Sequence, residues 1–250
     1  MRRIAVHRIQ RFFAIISFVL LLAILLIVAR LMNMGIDWNE FSITEHIALP
    51  VPVPVIHARV ALISGHAGYD SGATCADENG TTTMTEADIT ADISARVADL
   101  LRRDGTEVAI LNEYDPAINN LETDALVSIH GDSCINASGY KAAYYLYSTI
   151  PEEDARLVQC IDENYAEATG LERHADTITH NMTEYHAFRK VAPTTPAAIL
   201  ELGFLGGDGE LLTTDAKTVA LGVADSIRCF LDGIPPTPTP PATDAPSSEQ

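Results

Sequence analysis

"TEADITADISARVADLLRRDGTEVAILN", Thr85–Asn112, sets a helix and a strand back to back. Ile89, Ile93, Val97, Leu100 and Leu101 recur at helical spacing, and Gly105 ends the run. "TEVAILN" then reads as a short apolar strand. Upstream, "RVALIS" (59–64) is a second run of strand length, so the unit is strand, helix, strand. The alternation continues downstream. "ALVSIHG" (125–131), "YKAAYYLYS" (140–148) and "PAAILELGF" (196–204) read as strands. "PEEDARLVQCIDENYAEATG" (151–170) and "TTDAKTVALGVADSIRCFLDG" (213–233) read as helices. Such alternation predicts an α/β fold, a three-layer sandwich with a mostly parallel central sheet and helices on both faces.

Outside this unit the composition changes. "FFAIISFVLLLAILLIVA" (12–29) is 18 residues without a charge. As a helix it would be about 27 Å long, close to the hydrocarbon thickness of a bilayer. Four arginines precede it and Arg30 follows. This bias predicts a single-pass anchor over residues 1–30, with the N-terminus cytoplasmic and the rest of the chain outside the cell membrane. A cleaved signal peptide is the competing reading, but "VARLMNMGID" offers no small-residue cleavage site. Residues 31–57 read as a stalk, because "ALPVPVPV" alternates proline with apolar residues. Residues 234–250 read as a disordered Pro/Thr-rich tail, which leaves 58–233 as the folded domain.

Charge excludes one class of partner. The net charge is −18, and five of the 16 basic residues lie in 1–30, which contains no acid. The remainder therefore carries 34 acids against 11 bases. A surface of that sign repels polyphosphate, so no nucleic-acid partner is expected. The four cysteines, Cys75, Cys134, Cys160 and Cys229, lie on the predicted outer side, where disulfides persist. Three pairings are open, and the absence of C-x-x-C spacing argues against a cysteine zinc site.

In parallel sheets, active sites gather at the carboxyl ends of strands. The first strand ends near His66, in "SGHAGYDSG"; the third ends at His130; the late strand carries Glu201; and Glu86 opens the first helix. Two imidazoles and one carboxylate form a common zinc set with an open position. A second carboxylate can then take a proton from water and return it to a leaving nitrogen. Each residue also has a plain structural reading. His66 could sit in a turn, His130 could be a buried core residue, and Glu86 lies three after Thr83, the spacing of a capping box. Glu201 is hardest to explain structurally, since it interrupts an apolar strand. Among the other histidines only His186 stands near a candidate strand, and it too reads as surface structure.

"ISGHAGYDSGA", the Thr85–Leu111 stretch, "ALVSIHGDS" and "PAAILELGFLG" resemble, in order and spacing, the zinc-dependent N-acetylmuramoyl-L-alanine amidases of the Amidase_3 type. The resemblance covers about Arg59 to Leu231. It implies Zn2+ held by His66, Glu86 and His130, with Glu201 as the catalytic glutamate. It implies hydrolysis of the amide between N-acetylmuramic acid and L-alanine in peptidoglycan. A non-catalytic peptidoglycan-binding domain on this fold and a zinc peptidase cutting within the stem peptide are the alternatives. An activator protein, if any, is not identified by the sequence. The pattern departs from the family at "ISGHAG", at Asp132, at Gly206–Gly207, and in the short join "NEYDPAINNLETD" between the second and third strands. The last departure predicts an open or reshaped flank. With the family layout, Cys75 and Cys134 fall on neighbouring loops and Cys160 and Cys229 on helices of one face, which suggests those pairings.

Overall fold

The computed structural model describes residues 59–233, together with residue 16, residues 18–25 and residue 30. The chain divides into two compact units, Met1–Pro52 and Val53–Gln250. Most of the expected anchor, the stalk and the tail lie outside the described residues. Residues 16, 18–25 and 30 are helical, and among the described residues no helix is long and apolar enough to cross a membrane.

In the second unit the elements run β1 (Val60–Ser64), β2 (Thr74–Ala76), β3 (Thr82–Thr85), α1 (Glu86–Arg103), β4 (Val108–Asn112) and β5 (Ala125–Asp132). There follow β6 (Lys141–Ala143), α2 (Pro151–Thr169), α3 (His180–Thr183), β7 (Ala197–Phe204), α4 (Gly209–Thr214) and α5 (Ala216–Asp232). The main sheet has the order β4-β1-β5-β7-β6. β4, β1, β5 and β7 are parallel, and β6 is an antiparallel edge against β7. β2 and β3 form a separate antiparallel pair. After β1 the chain crosses to β4 on one side, and after β4 it crosses back to β5 on the other. The switch point therefore falls between β1 and β5, where a crevice opens at the carboxyl ends.

Period-two alternation divides each strand between two cores. Val60, Leu62, Val127, Ile129, Ala198 and Leu200 face a core shared with Ile93 and Val97 of α1, Leu157 and Ile161 of α2, and Val223 and Ile227 of α5. Ala61, Ile63, Leu126 and Ile199 face the second core, with Ile118, Met182, Tyr185 and Phe188. All three long helices thus lie on one face. The expectation of helices on both faces needs correction, because the second is covered only by α3 and by 3-10 turns at Pro116–Ile118 and His186–Arg189. The cause is the short β4–β5 join, which accommodates a single turn. The expected strand over 140–148 is real but shorter, at Lys141–Ala143.

Both cysteine pairs are disulfides. Cys75–Cys134 ties β2 to the segment after β5, and Cys160–Cys229 joins α2 to α5.

Candidate metal centre

The switch point carries His66 and His130. His66 stands two residues past β1 in a left-handed backbone conformation, φ 62°, which costs a non-glycine residue energy and is typical of functional sites. His130 lies within β5, buried, beside Glu201 of β7 in the strand register. Glu86 is the first residue of α1. The helix is capped by Thr85, whose side chain accepts from the Asp88 N–H and donates to the Asp88 carboxylate. The capping pair is therefore Thr85 with Asp88, and the Thr83–Glu86 box is not formed. Thr83 instead donates to the Cys75 carbonyl. Freed from capping, the Glu86 carboxylate turns inward and is buried. Its Oε2 accepts from the Ala73 N–H at 2.9 Å and its Oε1 from the Gly131 N–H at 3.1 Å.

Glu86 lies between the two rings. His130 Nδ1 is 3.0 Å from Glu86 Oε1, and His66 Nε2 is 3.4 Å from Glu86 Oε2. One ligand-type atom from each of the three residues lies within 4.8 Å of the other two. The close approach explains why the loop is so poor in side chains. A Cβ on Gly65 would come within 2.5 Å of His130 Nδ1, and one on Gly72 within 2.5 Å of Glu86 Oε2. The other nitrogen of His66, Nδ1, bonds Asp70 at 2.5 Å. The His66 hydrogen bond, reinforced by the Gly72 N–H, holds the Asp70 carboxyl below its ordinary range.

A cavity of about 550 Å³ is lined by His66 and His130, and also by Glu201, Lys141 and Asp132. Glu201 is partly buried, and its Oε2 has no hydrogen-bond partner within the protein. Burial pushes its carboxyl up to about 7; the nearby Glu86 and Asp132 carboxylates add to the shift, and His130 and Lys141 oppose it. Lys141 is the cross-strand partner of Glu201, pairs with Asp132, and lies 4.9 Å from the centre of the Phe204 ring. The same group of acids acts on His130. Burial would lower its pKa, but Glu86, Glu201 and Glu113 outweigh burial and raise it in the metal-free protein.

His66, His130 and Glu201 thus line one cavity, Glu86 is buried between the two rings, and a further acid, Glu113, lines the same cavity. Glu113, one residue past β4, is buried among His66, His130, Tyr185 and His186. Burial favours its neutral form, but hydrogen bonds from His186, the charge of His130, and the His66 N–H and Tyr185 hydroxyl hold it at about 2. The strand-end rule, applied to β4 as to the other strands, would have found it. His186 is half-buried, and its Nε2 lies 2.8 Å from Glu113 Oε1.

Comparisons with known proteins agree with this architecture. No curated protein matches the chain. An N-acetylmuramoyl-L-alanine amidase from Clostridium difficile 630 superposes with a TM-score of 0.54 at 21% identity, over 70% of this chain and 96% of its own. The Ami1 amidase of Mycobacterium smegmatis gives 0.54 at 18% identity, over 69% and 96%. The CwlD amidase of Clostridioides difficile, in complex with the GerS lipoprotein, gives 0.54 at 18%, over 70% and 99%. At these identities the likeness is one of fold. The model of the N-acetylmuramoyl-L-alanine amidase family matches residues 60–229, from the first strand through most of the closing helix. That match takes in all four strand ends and the helix-opening acid, and the chain belongs to the N-acetylmuramoyl-L-alanine amidase family of enzymes.

Proposed function

We propose that this protein is a zinc-dependent hydrolase that cuts the amide between N-acetylmuramic acid and L-alanine in peptidoglycan. His66, Glu86 and His130 would hold the ion, and Glu201 would be the catalytic acid–base. The observation that carries the reading is the convergence of three ligand atoms within 4.8 Å, beside a cavity that His66, His130 and Glu201 line. The residues fit the ion chemically. Two imidazole nitrogens and one carboxylate suit zinc, and the glycines at 65 and 72 leave room for the ligands to approach. When bound, the ion supplies Lewis acidity toward the scissile carbonyl and toward water.

The chain's own residues do the rest. Glu201, which lines the cavity, takes a proton from the attacking water as the carbon–oxygen bond forms. It returns that proton to the departing alanine nitrogen as the carbon–nitrogen bond breaks. A carboxyl that titrates near neutrality suits both halves of this exchange. Asp70 holds His66 Nδ1, so that Nε2 faces Glu86.

The test is release of stem peptides from purified sacculi by the full chain, with zinc and with a chelator. Peptides beginning at a free L-alanine amine, released only with metal, are the expected product. Fragments cut within the stem would indicate a peptidase, and no release with zinc bound would indicate a binding domain.

The apolar segment 12–29 would hold the enzyme at the outer face of the cell membrane, with 31–57 as spacer. The acidic charge supports this reading, since anionic wall polymers would repel the domain. A chain lacking residues 1–30 is expected to stay in the supernatant when mixed with sacculi. Sedimentation with the sacculi would rule out the anchor as the means of staying near substrate.

A further inference from the structure

Glu113 accepts hydrogen bonds on both of its oxygens. Its Oε1 accepts from the Tyr185 hydroxyl at 2.9 Å and lies 2.8 Å from His186 Nε2. Its Oε2 accepts from the His66 N–H at 3.0 Å and lies 3.5 Å from His130 Nε2. Three of these approaches are hydrogen bonds, and the His130 ring, which bonds the Tyr185 hydroxyl, stands beside the carboxylate as a charge contact. These groups belong to three separate parts of the fold: the loop after β1, strand β5, and the segment after α3.

The two rings are held by a repeated device. His130 turns Nδ1 toward Glu86, so its Nε2 must carry the proton if Nδ1 is to offer a lone pair. The hydrogen-bond partner on that side is the Tyr185 hydroxyl at 3.4 Å, with Glu113 Oε2 at 3.5 Å as a charge contact. The tyrosine oxygen, which has two lone pairs and also accepts from Ser128 at 3.1 Å, donates its own hydrogen to Glu113. Glu113 therefore backs the His130 ring through Tyr185. On the other ring, Asp70 bonds His66 Nδ1 directly. The difference is burial: the Asp70 side chain is 51% exposed and that of Glu113 only 6%. Water can replace Asp70 as acceptor but has little access to Glu113.

We propose that Glu113 is a positioning residue for the metal centre, fixing the backbone of His66 through its N–H and the His130 ring through the Tyr185 hydroxyl. This inference rests on His66, Glu86 and His130 being the ligands. Because the same carboxylate also holds Tyr185 and His186, it ties the cavity wall to the ligands. The short β4–β5 join leaves this face without a long helix, and Glu113 opens that join.

The test measures zinc affinity of the full chain by competition with a chromogenic chelator, and records the absorption spectrum of the cobalt(II)-substituted protein. In Glu113→Gln the amide nitrogen must confront either the Tyr185 and His186 donors or the His66 N–H and the His130 ring. Zinc affinity is expected to fall about 10–100-fold, with a shifted cobalt spectrum. Asp70→Asn, at the exposed counterpart, is expected to lose less than the lower end of that range. Glu113→Asp keeps the charge but withdraws it by one methylene, and should fall between wild type and Glu113→Gln. If Glu113→Gln does not fold, the judgement passes to Glu113→Asp. A folded variant with wild-type affinity and an unchanged cobalt spectrum overturns the proposal. Failure of the wild type to bind zinc would instead overturn the ligand assignment.

Discussion

Glu86→Gln is expected to yield a folded protein that retains essentially no zinc and releases no detectable stem peptide from sacculi. Glu86 is the only anionic member of the three-residue set. The other two donors are neutral imidazoles when they bind a metal, so the amide removes all the negative charge that the set brings to a divalent ion. The amide has the size of the acid, and one oxygen can still accept from either Ala73 or Gly131. The other backbone N–H then faces an NH2 group, at a cost of about 1–3 kcal/mol for a buried donor left unpaired. Metal content by elemental analysis, beside circular dichroism for the fold, checks the result. A Glu86→Gln protein carrying one zinc per chain would show that the ion is held elsewhere. Glu86→Ala is expected to be worse on both measures, since it strips both N–H groups of their acceptor.

How much of this was legible in the sequence varies with how local the cause is. The long helices and the parallel strands were readable because their apolar residues repeat at 3.6 or fall in short runs, and those patterns are local. His66, Glu86, His130 and Glu201 were readable because strand ends and helix starts are visible landmarks. Glu113 stands at the same kind of landmark, one residue past β4, yet its meaning depends on partners 47 and 72 residues away. Tyr185 and His186 lie in a polar stretch without periodicity, where only tertiary contacts give a side chain its role. The helix cap illustrates a finer limit. Thr83 and Glu86 have capping-box spacing, but β3 runs on through Thr85, so the cap shifts to Thr85 and Asp88 and Glu86 is released inward. The hairpin β2–β3 leaves no apolar signal in the sequence, because its strands of three and four residues are mostly threonine and largely exposed. The missing helical layer on the second face was visible as a length. A join of 12 residues, Glu113 to Asp124, that must cross one strand leaves no room for a helix of several turns.

Glu201→Gln should lose turnover while gaining stability, and the combination is the informative result. Turnover is expected to fall by about 10²–10⁴, the usual contribution of a positioned acid–base group. Zinc content should be unchanged, which separates this variant from Glu86→Gln. The stability gain follows from the carboxyl's raised pKa. In the metal-free folded protein it titrates at about 7, against an ordinary value of 4.5. Between those two values the folded state keeps a proton that the unfolded state has released, so stability falls as pH rises through this window. The shift corresponds to a loss on the order of 2–3 kcal/mol by pH 7, allowing for the group's partial exposure to the cavity. Glutamine has no proton to lose, so the variant should escape that decline. Urea midpoints of the chelator-treated proteins from pH 5 to 8 should diverge, with Glu201→Gln the more stable at the upper end. Glu113 gives the opposite sign: its pKa, held at about 2, adds stability above pH 4.5 that is lost as pH falls toward 2. The rate should follow ionisation of Glu201 in the wild type, with kcat/KM rising to a plateau. Because a bound cation favours the ionised carboxylate, the midpoint of that rise is expected at or below pH 7. A Glu201→Gln enzyme with wild-type turnover, or one whose stability fell with pH as steeply as the wild type's, would remove Glu201 from the reaction.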